Sequence, residues 1–176
     1  MSRITTVTPA NATGQTAAIY ATITKALGVV PNLYQALGAH PQTLEAFLHL
    51  NAGLTSLSGA DKEAIALAVA QVNDCDYCLA AHTFLGGKHG LSADETLVIR
   101  KGGATDPKRN ALIRFTREVV ENKGAVAEET YQAFLTAGYK EAQVPEVFLA
   151  VVQNIFTNYF NNFNNTEVDF PAAPAL

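Results

Sequence analysis

Residues 57–91 read LSGADKEAIALAVAQVNDCDYCLAAHTFLGGKHGL, and this stretch decides the fold. The part that follows Asp61 is rich in Ala and Leu and is apolar on most sides, which is typical of a buried helix. Asn73 and Asp74 interrupt the pattern and can cap a second helix, which begins CDYCLAAHTFL and ends at Gly86-Gly87. The stretch therefore predicts two successive helices, with two cysteines and a histidine at the start of the second.

Helical periodicity continues on both sides of this stretch. Apolar positions recur at helical spacing, Ser92 and Asp106 are typical helix N-caps, and no segment is a convincing strand. The further helices are predicted over Gln15–Leu27, Asn32–Leu37, Gln42–Thr55, the residues between Ser92 and Gly102, Lys108–Asn122, Ala127–Ala137 and Val144–Phe163. Seven or eight helices without a strand predict an all-α bundle, and 176 residues fit one domain, 1–176.

Composition limits the classes of function. A net charge of −4 does not indicate the basic surface that nucleic-acid binding needs, and no stretch approaches the ~18 consecutive apolar residues of a membrane span. The beginning, MSRITTVTPANATGQ, lacks the apolar core of a signal peptide, so we expect a cytoplasmic protein whose thiols are kept reduced. Only 16% of the residues are charged against 48% hydrophobic, which favours a subunit interface and hence an oligomer.

The chemistry-bearing residues are Cys75, Cys78 and His82. On a helix that begins near Asp74, spacings of three and four place the three side chains on one face. Two sulfurs at this spacing can close a disulfide with little backbone movement. A free Cys has a pKa of about 8.5, but a helix N-terminus and a neighbouring histidine both favour the thiolate. His82 can also return a proton to a leaving group, because its pKa lies near neutral pH.

Glu63 lies on the preceding helix among apolar residues. A carboxylate buried there without a partner would be costly, and His82 with the cysteines could supply the partner. Carboxylate, histidine and thiol together resemble an oriented base beside a nucleophile. Equally, Glu63 could be part of a solvated first helical turn that the helix dipole favours.

Two other interpretations of the cysteines remain open at this point. Both could be small buried hydrophobic residues. Alternatively, Cys75, Cys78, His82 and Glu63 could be four zinc ligands, although zinc sites usually draw a second Cys or His pair from elsewhere and the chain has none. The other histidines, His40, His49 and His89, are interpreted as surface or capping residues. Tyr34 could line a pocket but is interpreted as core packing, and the aromatic residues after Ile155 are interpreted as core or interface. The asparagines between those aromatics receive no role.

The pattern Glu-x11-Cys-x2-Cys-x3-His resembles the AhpD-like alkyl hydroperoxidase branch of the carboxymuconolactone decarboxylase superfamily. The match is close over 57–91, and PNLYQALGAHP upstream and NYFNNFNNTEVDFP downstream resemble the larger, peroxidase-related members. The resemblance implies one AhpD-like domain over 1–176, with a catalytic core at about 57–91. It also implies an antioxidant peroxidase without a cofactor or a metal.

The resemblance assigns roles by position. Cys78 would be the peroxidatic nucleophile that attacks a hydroperoxide and becomes a sulfenic acid, and Cys75 would resolve it into a disulfide. His82 and Glu63 would form the proton relay. The sequence departs from the best-studied family type at Tyr77, where that type has a histidine, so a hydrogen bond supplied from that position is not expected.

Partners follow from the same resemblance. It implies a small hydroperoxide as substrate, a thiol carrier such as a dihydrolipoyl protein as electron donor, and a homo-oligomer, either a trimer or a hexamer, without nucleic acid or membrane.

Three alternatives differ from a peroxidase. One is a decarboxylase-like lyase or isomerase acting on a lactone or small carboxylate, although such enzymes do not rely on CxxC. The second is a general thiol–disulfide oxidoreductase, and the third is a non-catalytic, redox-sensing subunit.

Overall fold

The computed structural model describes residues 2–176, and in that range it contains nine α-helices, one short 3₁₀ turn and no β-strand. The all-α prediction is therefore confirmed. No helix of the described range is long and apolar enough to cross a membrane. The helices are α1 (Gly14–Leu27), α2 (Asn32–Leu37), α3 (Pro41–Ala52), α4 (Gly59–Val72), α5 (Asp76–Lys88), α6 (Ala93–Arg100), α7 (Pro107–Glu121), α8 (Glu128–Thr136) and α9 (Val144–Asn164), and the 3₁₀ turn Glu141–Gln143 precedes α9.

Helix α4 is the centre of the bundle, as its apolar sequence predicts. Every residue from Ala64 to Ala70 is at most 2% exposed, and the helix packs against α5, α6, α7 and α9. Its Leu67 belongs to a core cluster shared with α1, α2, α3 and α5, whereas its Ile65 and Val69 belong to a second cluster shared with α7, α8 and α9. A helix that faces two cores needs small apolar residues all round, which explains the Ala-rich sequence.

Side-chain caps fix where several helices begin. Ser58, Ser92 and Asp106 each accept a hydrogen bond from the backbone N–H three residues later. His40 does the same for α3 through Nδ1, which confirms its interpretation as a capping residue. Gly28 ends α1 with a φ of 82°, a left-handed conformation that favours glycine.

The start of α5 differs from the sequence-based prediction. Asp74 does not cap the helix; it adopts a left-handed φ of 49°, which Asp tolerates better than most residues, and the chain turns there. The N-cap is Cys75, whose sulfur accepts a hydrogen bond from the Cys78 backbone N–H at 3.3 Å. The helix also continues through Gly86-Gly87 to Lys88. The first cysteine is therefore held by the helix end itself.

The C-terminal tail, residues 165–176, returns over the bundle without regular structure after Asn165. Asp169 Oδ2 accepts a hydrogen bond from the Asn32 backbone N–H at 2.8 Å, and the Pro174 carbonyl accepts one from Arg100. Between these two anchors Phe170 packs edge-on against Tyr77, with ring centroids 5.8 Å apart. The tail thus lies against α5, the helix at whose N-terminus both cysteines lie.

Candidate functional site

The carboxylate and the histidine predicted from the sequence form a pair between α4 and α5. His82 Nδ1 and Glu63 Oε2 are 2.8 Å apart, and their side chains are 23% and 14% exposed. Asp61, on the same turn as Glu63, instead pairs with Arg109 on α7 at 3.1 Å. The carboxylates in the first turn of α4 are therefore paired with neighbouring helices, and Glu63 points to α5.

The two cysteines lie at the N-terminus of α5 and both are reduced in this structure. Their side chains are hydrogen-bonded to each other, and the sulfur of Cys75 also caps the helix. Cys75 is fully buried, whereas Cys78 lines a cavity. The spacing in the sequence thus produces a compact dithiol in which one sulfur faces open space and the other does not.

The environment separates the acidities of the two thiols. The hydrogen bond from Cys75 is the largest influence on Cys78, and with the charge of His82 and the Asn161 amide it outweighs burial and lowers the pKa of Cys78 to about 6. The same hydrogen bond, together with burial, raises the pKa of Cys75. At neutral pH, Cys78 is therefore the thiolate and Cys75 the thiol.

The acidic neighbours of His82 favour its charged form. Burial lowers the pKa of His82, but the Glu63 carboxylate and the Cys78 sulfur outweigh burial, so the net pKa of the imidazole is raised. A charged imidazole next to a thiolate stabilises that thiolate and carries a proton that can be donated. Glu63, His82 and Cys78 thus form a chain of alternating charge.

Helix α9 supplies two further groups that the sequence interpretation left without a role. Asn161 donates from Nδ2 to the Cys78 sulfur at 3.3 Å, and Asn158 lies one turn earlier on the same buried face of α9. Both side chains are buried, at 3% and 0% exposure. A signal for them was present: asparagine is rare inside an apolar helix face, and the spacing of three places both on one face.

The cavity at Cys78 has a volume of about 200 Å³ and is mainly apolar. Its aromatic lining is Tyr34, Phe47, Tyr77, Phe84 and Phe170, and its polar lining includes Glu63, His82, Lys62, Lys88, Asn51, Gln153, Asn154 and Thr157. Burial and the nearby Glu63 charge raise the pKa of Tyr34, which is therefore a neutral hydroxyl in this lining. Tyr34, interpreted from the sequence as core, is thus also part of a binding space.

The zinc interpretation lacks the ligand arrangement it needs. Across residues 2–176, no group of three or more His, Cys, Asp or Glu side chains is placed to hold a metal ion. The four candidate ligands are instead engaged with one another: Glu63 with His82, and Cys75 with Cys78. The arrangement is suited to moving protons and electrons between side chains.

Comparison with known proteins gives one family match and several structures of similar fold. Residues 41–119 match the carboxymuconolactone decarboxylase family model. No curated protein sequence matches the chain significantly. The matched segment begins with α3 and extends into α7, so it contains both helices that carry Glu63, Cys75, Cys78 and His82.

Solved structures with the same fold cover nearly the whole chain. A peroxidase-related protein from Ralstonia eutropha JMP134, described as having an alkylhydroperoxidase AhpD core, is 19% identical over 96% of this chain and 92% of its own, with a TM-score of 0.86. A peroxidase-related protein from Silicibacter sp. TM1040 is 18% identical over 95% and 94%, with a TM-score of 0.78. A variant of the debrominase Bmp8 in complex with 2,3,4-tribromopyrrole is 18% identical over 96% and 94%, with a TM-score of 0.78. These likenesses show a common fold.

Proposed function

We propose that the chain, which has the AhpD-like fold, is a member of the carboxymuconolactone decarboxylase superfamily and a thiol-dependent peroxidase that reduces organic hydroperoxides. The observation that carries this proposal is the Cys78 sulfur, which faces a cavity, is acidified by its neighbours and lies beside a buried thiol that can close a disulfide with it. Cys78 is the peroxidatic residue and Cys75 the resolving one. The assignment that family resemblance implies thus agrees with the acidities.

The first step transfers an oxygen atom. The Cys78 thiolate attacks the terminal oxygen of ROOH, the O–O bond breaks, and the sulfur becomes a sulfenic acid. The leaving alkoxide RO⁻ takes the proton of His82 and departs as ROH, and Glu63 keeps the imidazole oriented and charged before the step. The hydroperoxide gains two electrons, and all of them come from one sulfur.

The second step closes the disulfide. The Cys75 sulfur attacks the Cys78 sulfenic acid, the S–O bond breaks, and hydroxide leaves with the Cys75 proton as water. A thiol that remains protonated until its partner is oxidised avoids being oxidised itself, which fits the raised pKa of Cys75. An external dithiol, such as a dihydrolipoyl protein or another thiol carrier, then reduces the disulfide and restores the enzyme.

The cavity lining supports an organic substrate. Aromatic and aliphatic side chains form most of the wall, so an alkyl or aryl group gains free energy by leaving water there. Hydrogen peroxide has no such group. We therefore expect a lower KM for cumene hydroperoxide than for hydrogen peroxide.

Assembly into a homo-oligomer is part of the proposal. Four exposed apolar side chains, Val152, Phe156, Tyr159 and Phe163, recur along one face of α9 and form a continuous α9 stripe. Such a stripe is costly in water, and a second copy of the chain would cover it. The trimer or hexamer implied by the family resemblance and the cytoplasmic location stay predictions, and light scattering tests the first.

A second candidate function is reductive dehalogenation, favoured by the aromatic lining of the cavity. The debrominase Bmp8 has this fold, and its structure contains a halogenated pyrrole. Closing the Cys75–Cys78 disulfide releases two electrons, which is sufficient to convert a C–Br bond and a proton into C–H and bromide. Assays for bromide release and for hydroperoxide consumption on the same preparation separate the two functions.

Decarboxylase-like chemistry is the remaining alternative, and it has no use for a dithiol. Alkylation of Cys78 with iodoacetamide would leave a lyase or isomerase rate unchanged unless the adduct blocks the cavity. The smaller Cys78→Ser variant controls for that block.

The test of the peroxidase proposal is hydroperoxide consumption by cysteine variants. Cys78→Ser should abolish the reaction. Cys75→Ser should consume one equivalent and stop with an oxidised Cys78, because no resolving thiol remains. The matched control is Asn122→Ser, at an exposed position where α7 ends, which should turn over like the wild type. Full turnover by the Cys75→Ser/Cys78→Ser double variant would overturn the proposal.

A further inference from the structure

The buried face of α9 carries asparagines where an apolar core would be expected. Asn154, Asn158, Asn161 and Asn164 are all buried. Burying an amide costs free energy unless its hydrogen bonds are made, so each needs a partner. Asn154 donates to a carbonyl of its own helix, and Asn164 donates to Thr166 and accepts from the Ile4 backbone N–H. These two have structural partners, whereas Asn158 and Asn161 face the dithiol.

Asn161 contacts the reacting sulfur directly. Its Nδ2 donates to Cys78 Sγ at 3.3 Å. An amide nitrogen can only donate, so it favours a sulfur that carries negative charge. Unlike His82, which changes its charge with pH, the amide supplies this stabilisation at every pH.

Asn158 keeps an unused donor at the same place. Its Oδ1 accepts a hydrogen bond from the Asn73 side chain at 3.0 Å, which fixes the orientation of the amide. Its Nδ2 is buried and has no hydrogen-bond partner among the described residues. An unpaired buried donor costs free energy, so such a group is typical of a site where a ligand or intermediate supplies the acceptor.

Helix α9 is also fastened to the turn that carries the first cysteine. Asn162 donates to the Asn73 carbonyl at 2.8 Å, next to the Asn73–Asn158 bond. These two hydrogen bonds to Asn73 hold the Asn158 and Asn161 amides at a constant distance from the Cys75–Cys78 pair. Donors that are fixed before the reaction need no reorganisation when charge develops.

On the basis of the peroxidase function proposed above, we propose that Asn158 and Asn161 form an amide cradle for the reacting sulfur of Cys78. Asn161 holds the sulfur while it is a thiolate. The unused N–H of Asn158 donates to the oxygen that is transferred from the hydroperoxide to that sulfur. No proton moves to or from either amide: Cys78 and ROOH give the sulfenic acid, and His82 supplies the proton of ROH.

The first test measures the thiolate itself. Asn161→Leu keeps the side-chain size and removes the donor, and it should raise the pKa of Cys78 by about one unit, which slows iodoacetamide alkylation about fivefold at a pH near 6. Asn164→Leu, on the same buried face but away from the sulfur, should lower thermal stability without moving this pKa. An unchanged Cys78 pKa in Asn161→Leu, or an equal shift in Asn164→Leu, would overturn the proposal. If Asn161→Leu does not fold, the isosteric Asn161→Asp should raise the pKa through its negative charge.

The second test separates oxygen transfer from simple thiolate attack. In alkaline buffer, where Cys78 is ionised in every variant, Asn158→Leu should slow single-turnover reduction of cumene hydroperoxide about tenfold or more relative to the wild type in the same buffer, because the donor to the transferred oxygen is lost. Alkylation by iodoacetamide, which transfers no oxygen to the sulfur, should keep its rate. Equal changes in both rates would overturn the role of Asn158. If the wild type lacks peroxidase activity but Asn161→Leu still raises the pKa of Cys78, then the proposed function fails and the thiolate contact stands.

Discussion

Replacing Glu63 by Gln should raise the pKa of Cys78, although Glu63 is hydrogen-bonded to His82 and not to Cys78 itself. Glu63 is bonded to His82 at 2.8 Å and outweighs the burial that would otherwise lower the pKa of the imidazole. Gln has the same shape but no charge. In the variant the carboxylate charge no longer offsets burial, so the pKa of His82 falls and a smaller fraction of Cys78 has a cation beside it.

The size of this effect follows from the charges. A nearby opposite charge shifts a pKa by about 1–3 units. From a value of about 6 in the wild type, the pKa of Cys78 should therefore rise by about one unit or more. The thiolate fraction at neutral pH then falls from about nine-tenths to about a half or less, which slows thiolate reactions about twofold to tenfold.

The measurement is an ultraviolet titration of the thiolate absorbance in the intact protein. Because the pKa of Cys75 is raised, the wild type should show one thiolate step, near pH 6, and Cys78→Ser should remove it. The matched control is Asp61→Asn on the same helical turn, whose partner is Arg109 rather than His82. A Glu63→Gln titration that coincides with the wild type, with thermal unfolding unchanged, would refute the charge chain from Glu63 to Cys78.

Three further outcomes are expected. Cys75→Ala should raise the pKa of Cys78 more than any other single change, since the hydrogen bond from Cys75 is the largest influence on it; a wild-type titration step would contradict this. Deletion of residues 167–176 removes Phe170 from the cavity wall, so KM for cumene hydroperoxide should rise while KM for hydrogen peroxide changes little. Equal changes in the two KM values would show that the tail acts on the fold as a whole. Ile65→Ala, in the fully buried middle of α4, should lower the free energy of unfolding by about 2–5 kcal/mol in urea titrations and leave the Cys78 step in place.

Much of the fold could be predicted from local sequence. The composition of α4 predicts that the helix is buried, because a helix that packs against two core clusters can carry almost no polar residue. Most helix starts follow from capping residues such as Ser58 and Ser92, whose side chains bond within three residues. The start of α5 could not be predicted in the same way. There the left-handed turn at Asp74 moved the cap to Cys75, and such a turn depends on how α4 and α5 pack.

The candidate site shows the same division. Cys75, Cys78 and His82 share one helix, so their spacing already indicates a common face. Glu63 remained ambiguous in the sequence, because only tertiary packing decides whether a first-turn carboxylate faces solvent or a neighbouring helix; it faces His82.

Contacts distant in sequence were beyond local reasoning. Asn161 reaches Cys78 across 83 positions, and Phe170 enters the cavity wall from the tail. The α9 aromatics were expected in a core or an interface. Phe156, Tyr159 and Phe163 are exposed, so for these three residues a subunit interface stays the prediction.

The central claim is that Cys78 takes the oxygen and Cys75 removes it, and mass spectrometry of the reduced protein after one equivalent of cumene hydroperoxide tests it most directly. The wild type should lose about 2 Da and yield a peptide in which Cys75 and Cys78 are joined. Cys75→Ser should instead gain about 16 Da, located on Cys78 and captured by dimedone. Hydroperoxide consumption that leaves both cysteines reduced, or oxidation that falls on Cys75 in the Cys78→Ser variant at the wild-type rate, would contradict the account.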